Sequence, residues 1–272
     1  MSEKTQEKLP EVIVRLAETN AEREAAQKLR YKVFYEEFGA KPSEEVRKSK
    51  RDWDEFDEAA DHMIVLDESL GEGPESIIGT YRLFDQQAAD KIGKFYTSDE
   101  FDISPLLECG ANLLELGRSC VLEPYRTRPV LQKLWQGIAD YVLENEIEIL
   151  FGCASFHGTN PEEHSEALSY LHHYHLAAPG IRPRSLDKHY VDMNRMPKSG
   201  INQKQILTTL PPLIKGYLRI GANIGDGAYV DHDFNTTDVC IVLQTHLMAN
   251  RYRRHYERKG NATFETSTLG EV

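Results

Sequence analysis

Apolar positions along the chain follow two different periods, and the switches between them mark out the elements. Residues Val12–Leu16 alternate like a strand, and Thr19 followed by Glu22 reads as a capping box that opens a helix running to about residue 38. The inward stripe of that helix is Ala26, Leu29, Val33 and Phe34, with Arg30 set among them. Segments 63–66 and 77–84 read as strands joined by the Gly- and Pro-bearing turn LGEGPES, which predicts an antiparallel hairpin. A mixed stretch to about residue 110 leads into a third strand, Leu113–Val121, and then a helix with the stripe Val130, Leu134, Ile138 and Val142. The continuous apolar run 147–156 follows, the pattern of a strand buried on both faces. Strand, helix and parallel strand make a βαβ crossover. Beyond it the pattern predicts a helix near 163–175, an irregular insertion over 176–199, a helix near Pro212–Ile220, strands at 227–230 and 239–243, and a basic helix over 245–260. With no internal repeat and no low-complexity linker, this is a single mixed α/β domain spanning 1–272, its core at about 12–245.

Composition narrows the class. The 272 residues, 40% of them hydrophobic, suffice for one sizeable core. No apolar run is long enough to span a bilayer, and the charged first twenty residues lack the apolar stretch of a signal peptide, so a cytoplasmic location is expected. Cys109, Cys120, Cys153 and Cys240 are scattered without CxxC spacing, which suits reduced thiols. A net charge of -12 argues against general nucleic-acid binding, which needs clustered cations on a basic face. Basic residues do gather locally, as RKSKR at 47–51, RPR at 182–184 and RYRRHYERK at 251–259. Such clusters read either as solvated surface or as docking patches for an acidic carrier protein or an anionic lipid surface.

The strand LLELGRSCV holds the most informative chemistry, because Glu115 and Arg118 interrupt an apolar run. Strict alternation would place them on opposite faces. Gly117 between them predicts a β-bulge, whose extra residue turns both to one side and splays the strand from its parallel neighbour. Backbone groups exposed in such a gap can hold an extended ligand as an added strand would be held. The next loop, EPYRTRP, runs straight into a helix N-terminus, where amides, dipole, Arg126 and Arg128 suit a phosphate. It lacks the glycines of an Arg/Gln-x-x-Gly-x-Gly/Ala pyrophosphate loop, which favours a phosphopantetheine arm carried on a protein over coenzyme A. Arg30 on an apolar stripe demands a partner, either a buried ion pair or a substrate charge. A salt-bridge network among Arg30, Asp57, Arg82, Glu115 and Arg118 is the structural alternative to a catalytic constellation. Asp231, His232, Asn235 and Asp238 form a second polar block, read as a strand cap or a substrate contact. HMIVLD at 62–67 fits His-x4-Asp by chance, since a strand puts its His and Asp on opposite faces. His164, His172, His173 and His175 lack the ordered ligand set of a zinc site, so no metal is expected.

The segments LRYKVFYEEFGA, DWDEFDEAADHMIV, IIGTYRLF, EFDISPLL, LELGRSCV, LFGCASFHG, LPPLIKGYLRIGA and GDGAYVDHDFNTTDV together resemble the bacterial L-ornithine Nα-acyltransferases, over most of residues 12–256. The resemblance implies a GNAT-like N-acyltransferase fold with a C-terminal elaboration, and transfer of a 3-hydroxyacyl chain from acyl carrier protein to L-ornithine. The product would be lyso-ornithine lipid, which partitions to the membrane, with the enzyme itself peripheral at the inner membrane. The donor would be the acyl-phosphopantetheine of the carrier, with no permanently bound cofactor. A more distant similarity is to acyl-homoserine-lactone synthases, matched at Arg30, Phe34, Asp54, Asp57, Arg82, Glu115 and Arg118, while the GDGAYVDHDFNTTDV block departs from them. Acyl transfer from a thioester to such an amine needs a route for its proton, so Glu115 is expected to take it from the α-ammonium, directly or through water, while Arg82 and Arg118 would hold the site's electrostatics or the substrate carboxylate. Asp54 or Asp57 would receive an ammonium, with Arg30, Phe34, His232 and Asp238 as further substrate contacts. The competing classes are lactone synthesis and a non-catalytic, membrane-active module of the kind labelled hemolysin.

Overall fold

A computed structural model of the chain describes residues 12–247. The basic helix expected over 245–260 lies, from residue 248 on, outside them. Eleven strands occur among these residues: β1 Val12–Leu16, β2 Asp61–Asp67, β3 Ile77–Asp85, β4 Phe101–Asp102, β5 Leu113–Val121, β6 Ile149–His157, β7 Arg184–Ser185, β8 Tyr190–Val191, β9 Asn223–Ile224, β10 Ala228–Asp231 and β11 Thr236–Gln244. Nine of them form one sheet in the order β1-β2-β3-β5-β6-β11-β10-β8, with β9 added against β11. All its ladders are antiparallel except β5 with β6. The helix joining those two, α5 in the numbering that follows, supplies the crossover that a parallel pair requires.

The helices are α1 Asn20–Tyr31, α2 Glu44–Ser49, α3 Gln86–Ile92, α4 Ser104–Glu108, α5 Arg128–Glu144, α6 Ser165–His175, α7 Gln203–Thr209 and α8 Pro212–Ile220. The expected capping box opens α1: Thr19 accepts from the Glu22 amide, and Glu22 returns the bond to the Thr19 amide. The helix then widens into a π-helical turn over Lys32–Glu37, so the predicted span to residue 38 changes its winding partway. One face of the sheet packs on α5, whose Val130, Leu134, Ile138 and Val142 are all buried. The other face packs on α1 and the π-helical turn after it, through Ala26, Leu29 and Val33 against Ile64, Leu66 and Ile77, and its own Phe84 and Phe151 pack with Phe56, Phe95 and Phe101. The stretch before residue 110 holds two short helices, α3 and α4, and the insertion over 176–199 holds strands β7 and β8 of two residues each. Such elements are too short to impose a period on the sequence.

Candidate active site

Strands β5 and β6 pair only from Leu113 and Ile149 to Glu115 and Phe151. Beyond that point they diverge, and backbone groups on the facing edges turn into a cleft of about 1340 Å³. Two local features make the fork. On β5, Thr80 faces Cys120 while Arg82 faces Gly117, so one extra residue is inserted in β5 and Arg118 takes φ 52°. On β6, Gly152 has φ 152°, and a Cβ there would meet the Leu116 carbonyl oxygen at 2.2 Å. Only glycine lets the strands touch there before they part.

The bulge does bring Glu115 and Arg118 to one side, where both engage Tyr96. The Tyr96 amide donates to Glu115 Oε2 at 2.9 Å, and the Arg118 guanidinium lies 4.7 Å from the Tyr96 ring centre and 4.7 Å from that of Phe234. Arg118 is also held by Asp52, at 3.1 Å, and Asp54, at 3.1 Å. Arg30, wholly buried, donates to Asp52 and Asp57, each at 2.7 Å, and Arg82 donates to Asp54 at 2.5 Å. Three guanidiniums and three carboxylates therefore neutralise one another under the cleft. Burial alone would raise Asp52 and Asp57, but Arg118 and Arg30 beside the first, and Arg30 and Arg82 beside the second, hold both below the ordinary carboxylate range. The αL backbone of Arg118, costly by about 1 kcal/mol or more, is tolerated because these bonds over-determine its position.

Glu115 stands outside this network. Its carboxylate accepts from the Tyr96 and Thr97 amides and from the Thr97 hydroxyl, and burial raises its pKa. Asp52 fills the place the sequence assigned to Glu115. Asp54 and Asp57, expected to take a substrate ammonium, instead form a capping box in the turn Glu55–Glu58 and are bound by arginines. Phe34 lines the cleft, 6.0 Å from Phe234 with the rings edge to face. Asp238 lines it too, whereas His232 is exposed and meets His189 edge to face. Arg126 sits at the cleft mouth but is held by Glu37 in a forked pair and by the Val121 carbonyl. Arg128 is exposed at the first turn of α5, whose Thr127 provides no side-chain cap.

Sequence reasoning missed Asp52, Tyr96, Thr97 and Glu100. Buried Glu100 faces Asp231 and Asp238 across the cleft floor, the three offering carboxylate oxygens within 4.8 Å of one another. Burial, and then the Asp238 charge, push Glu100 well up; Asp238 itself is pushed up to about 7, chiefly by burial, with Asp231 adding to it. The coincidental motif behaves as expected: His62 meets the Asp57 carbonyl at 3.0 Å, while Asp67 accepts from Tyr125. His164, His173 and His175 make separate bonds, to His157, Met196 and Tyr170.

A mixed sheet forked between its parallel strands, with an open helix N-terminus just past the fork, defines a GNAT-type N-acyltransferase. Residues 29–136 match the acetyltransferase (GNAT) domain family. L-ornithine N(alpha)-acyltransferase of Rhizobium meliloti (strain 1021) is 47% identical over 245 residues, 89% of this chain and 83% of that one. The enzyme of the same name from Agrobacterium fabrum (strain C58 / ATCC 33970) is 45% identical over 245 residues, 89% of this chain and 84% of its own. The chain belongs to the L-ornithine Nα-acyltransferase family. Among solved structures, an N-acyl amino acid synthase from uncultured soil microbes superposes with a TM-score of 0.44 at 15% identity, over 89% of this chain and 95% of that one.

Proposed function

We propose that this chain transfers a 3-hydroxyacyl group from the phosphopantetheine of acyl carrier protein to the α-amine of L-ornithine, giving lyso-ornithine lipid. The observation that carries the reading is the fork between β5 and β6, whose unpaired backbone can hold the pantetheine amides as a strand and leave a donor for the thioester oxyanion. The acceptor follows from the name the relatives carry. Glu115, its pKa raised by burial, takes one proton from the α-ammonium directly or through water. The neutral amine forms the new C–N bond, the C–S bond of the tetrahedral intermediate breaks, and the nitrogen's second proton leaves with the thiolate. Arg118 and Arg82 fix the electrostatics beside the fork, and the first turn of α5, with Arg128, receives the phosphate. The cleft volume accommodates a long acyl chain against Phe34, Phe38, Leu131 and Trp135. Among the described residues no helix is long and apolar enough to cross a membrane.

The test is product mass after incubating the purified protein with 3-hydroxypalmitoyl carrier protein and either L-ornithine or S-adenosylmethionine. Acyl-ornithine is expected. A lactone, or no product from either acceptor, would overturn the reading.

A further inference from the structure

The floor of the cleft carries a feature that neither the fork nor the arginine network uses. Glu100 is 5% exposed and Asp238 is 3% exposed, yet Glu100 Oε2 and Asp238 Oδ1 have no hydrogen-bond partner among the described residues. Both side chains, with half-buried Asp231, line the cleft. Asp238 keeps a bond from Thr236 through its other oxygen, at 3.1 Å, and Ser155 and Glu100 lie beside it, as Cys153 does beside Glu100, without reaching hydrogen-bond geometry to those two oxygens. Two buried carboxylates with lone pairs aimed at one space are costly unless a cation or a shared proton fills it. The floor lies beside the fork: Asp238 on β11 pairs directly with Ser155 on β6, and Cys153, two residues earlier on β6, lines the cleft. On the opposite side Arg118 is close enough to Glu100 to favour its ionised form.

We propose that Glu100, Asp231 and Asp238 form the subsite for the side-chain ammonium of a basic amino-acid acceptor, and so select an acceptor with a cation on a short aliphatic stem. The inference rests on the acyl-transfer reading and adds how the acceptor is chosen. Three features favour an alkylammonium over a divalent ion. A hard cation takes six or more oxygen ligands, whereas Asp238 already commits one oxygen to the Thr236 hydroxyl, so the three side chains leave at most five and only if the other two bind through both oxygens. An ammonium has three N–H donors, one for each carboxylate. The subsite also opens onto the fork, so one end of a small acceptor can rest on it while the α-nitrogen reaches the thioester. Asp54 and Asp57, the carboxylates that the sequence reserved for an ammonium, are neutralised by arginines, which leaves this as the anionic floor of the cleft.

The experiment compares L-ornithine with L-norvaline, which has the same carbon chain and no terminal amine, using purified full-length protein and 3-hydroxypalmitoyl carrier protein. Wild type is expected to prefer L-ornithine in kcat/KM by at least about 100-fold, because a site built around a charged donor rejects the analogue lacking it. Glu100→Gln, Asp238→Asn and their combination should bring that ratio to within about threefold of one, the loss appearing mainly as a raised KM for L-ornithine. Asp231→Asn, at a half-buried position that tolerates change more readily, should lower the ratio by about tenfold or more. An unchanged ratio in variants that retain a cooperative melt would overturn the subsite while leaving acyl transfer intact. Failure of wild type to acylate either amino acid would overturn the acceptor reading itself. Stabilisation of the protein by millimolar magnesium or calcium, abolished in the same variants with the ratio unchanged, would overturn the subsite in favour of a metal.

Discussion

Replacing Asp52 by Asn should cost far more than its small volume change suggests. Asp52 Oδ2 accepts from Arg30 and Arg118, Oδ1 accepts from Tyr35, and its carbonyl takes a further Arg30 bond at 2.5 Å. The amide of Asn supplies one acceptor oxygen and turns an N–H pair toward guanidinium donors. Neutrality is lost as well: three guanidiniums then share two carboxylates, with the Arg30 and Arg82 side chains 0% and 3% exposed. Breaking a buried ion pair from one side costs about 3–5 kcal/mol, which in a chain of this size lowers Tm by roughly 6–20 °C. Asp54→Asn is the control. Its side chain is 24% exposed, and both its arginines keep a second aspartate, so solvent and the remaining partner limit the loss to about 1–2 kcal/mol. Urea unfolding followed by far-UV circular dichroism, with the slope checked for constancy, would measure both. Equal losses in the two variants, or a loss under about 1 kcal/mol for Asp52→Asn, would refute the claim that Asp52 is the buried anion joining Arg30 to Arg118.

Other substitutions probe the fork and the carboxylates. Gly152→Ala puts a Cβ 2.2 Å from the Leu116 carbonyl oxygen at φ 152°, so it should cost about 3 kcal/mol or more, or else shift the fork and lower turnover at least tenfold; a variant with wild-type melting and turnover would contradict the geometry. Glu115→Gln should remove most turnover while the fold persists, and it should abolish the acid limb of the pH–rate profile; a lowered kcat with that limb intact would make Glu115 a positioning residue that holds Tyr96 and Thr97. Asp238 is faced by Glu100, by Asp231 from β10 and by Ser155 from β6, with Cys153 and Arg118 beyond Glu100. Its folded pKa of about 7 lies above the unfolded value of 3.8, so the stability linked to its protonation is full below pH 4 and lost as pH rises through 7. Asp238→Asn should therefore stabilise the ligand-free protein at pH 8 by about 1–4 kcal/mol, and the gain should shrink toward pH 4; a variant no more stable than wild type at pH 8 would count against a buried, strained carboxylate.

What the sequence made legible is what local period and composition control. Alternation and the 3.6-residue stripe located the long strands and helices, and a glycine between Glu115 and Arg118 was enough to anticipate the bulge. Arg30 on an apolar stripe demanded a partner, an ion pair or a substrate charge, and the structure supplies the ion pair with Asp52 and Asp57. The partner was less accessible. Six acids occur in 52–61, and Asp52 and Asp57 point inward because the Asp54 capping box turns the chain there, a geometry set by φ and ψ rather than by pattern. Tyr96 and Thr97 were hidden in a short 3-10 turn without period. Glu100 and Asp238 were unreadable as a pair because Asp238 reaches the floor through the sheet order, with β11 beside β6, while Glu100 reaches it from the end of the 3-10 turn at 96–99, outside that sheet.

The charge layout of the cleft also argues for the direction in which the two substrates enter. Under β5, Arg30, Arg82 and Arg118 are matched by Asp52, Asp54 and Asp57, so that wall carries structure and little net field. Among the described residues, the groups that this network leaves unmatched lie at two places instead: the floor carboxylates beside β6, which burial keeps partly protonated until a cation meets them, and Arg126 and Arg128 where β5 passes into α5, the first of them tempered by Glu37. A donor with an anionic phosphate is drawn to the second and repelled by the first, and an acceptor with two ammonium groups is drawn to the floor. Since β5 and β6 diverge between these places, the thioester of a pantetheine arm laid in the fork from the α5 end would point back toward the floor. The same polarity disfavours the reverse arrangement, in which a phosphate would meet Glu100 and Asp238 and a cationic acceptor would meet Arg128. If the proposed donor and acceptor are the substrates, orientation would follow from which carboxylates the arginine network leaves unpaired, whereas a cleft lined by one sign of charge could not sort the two.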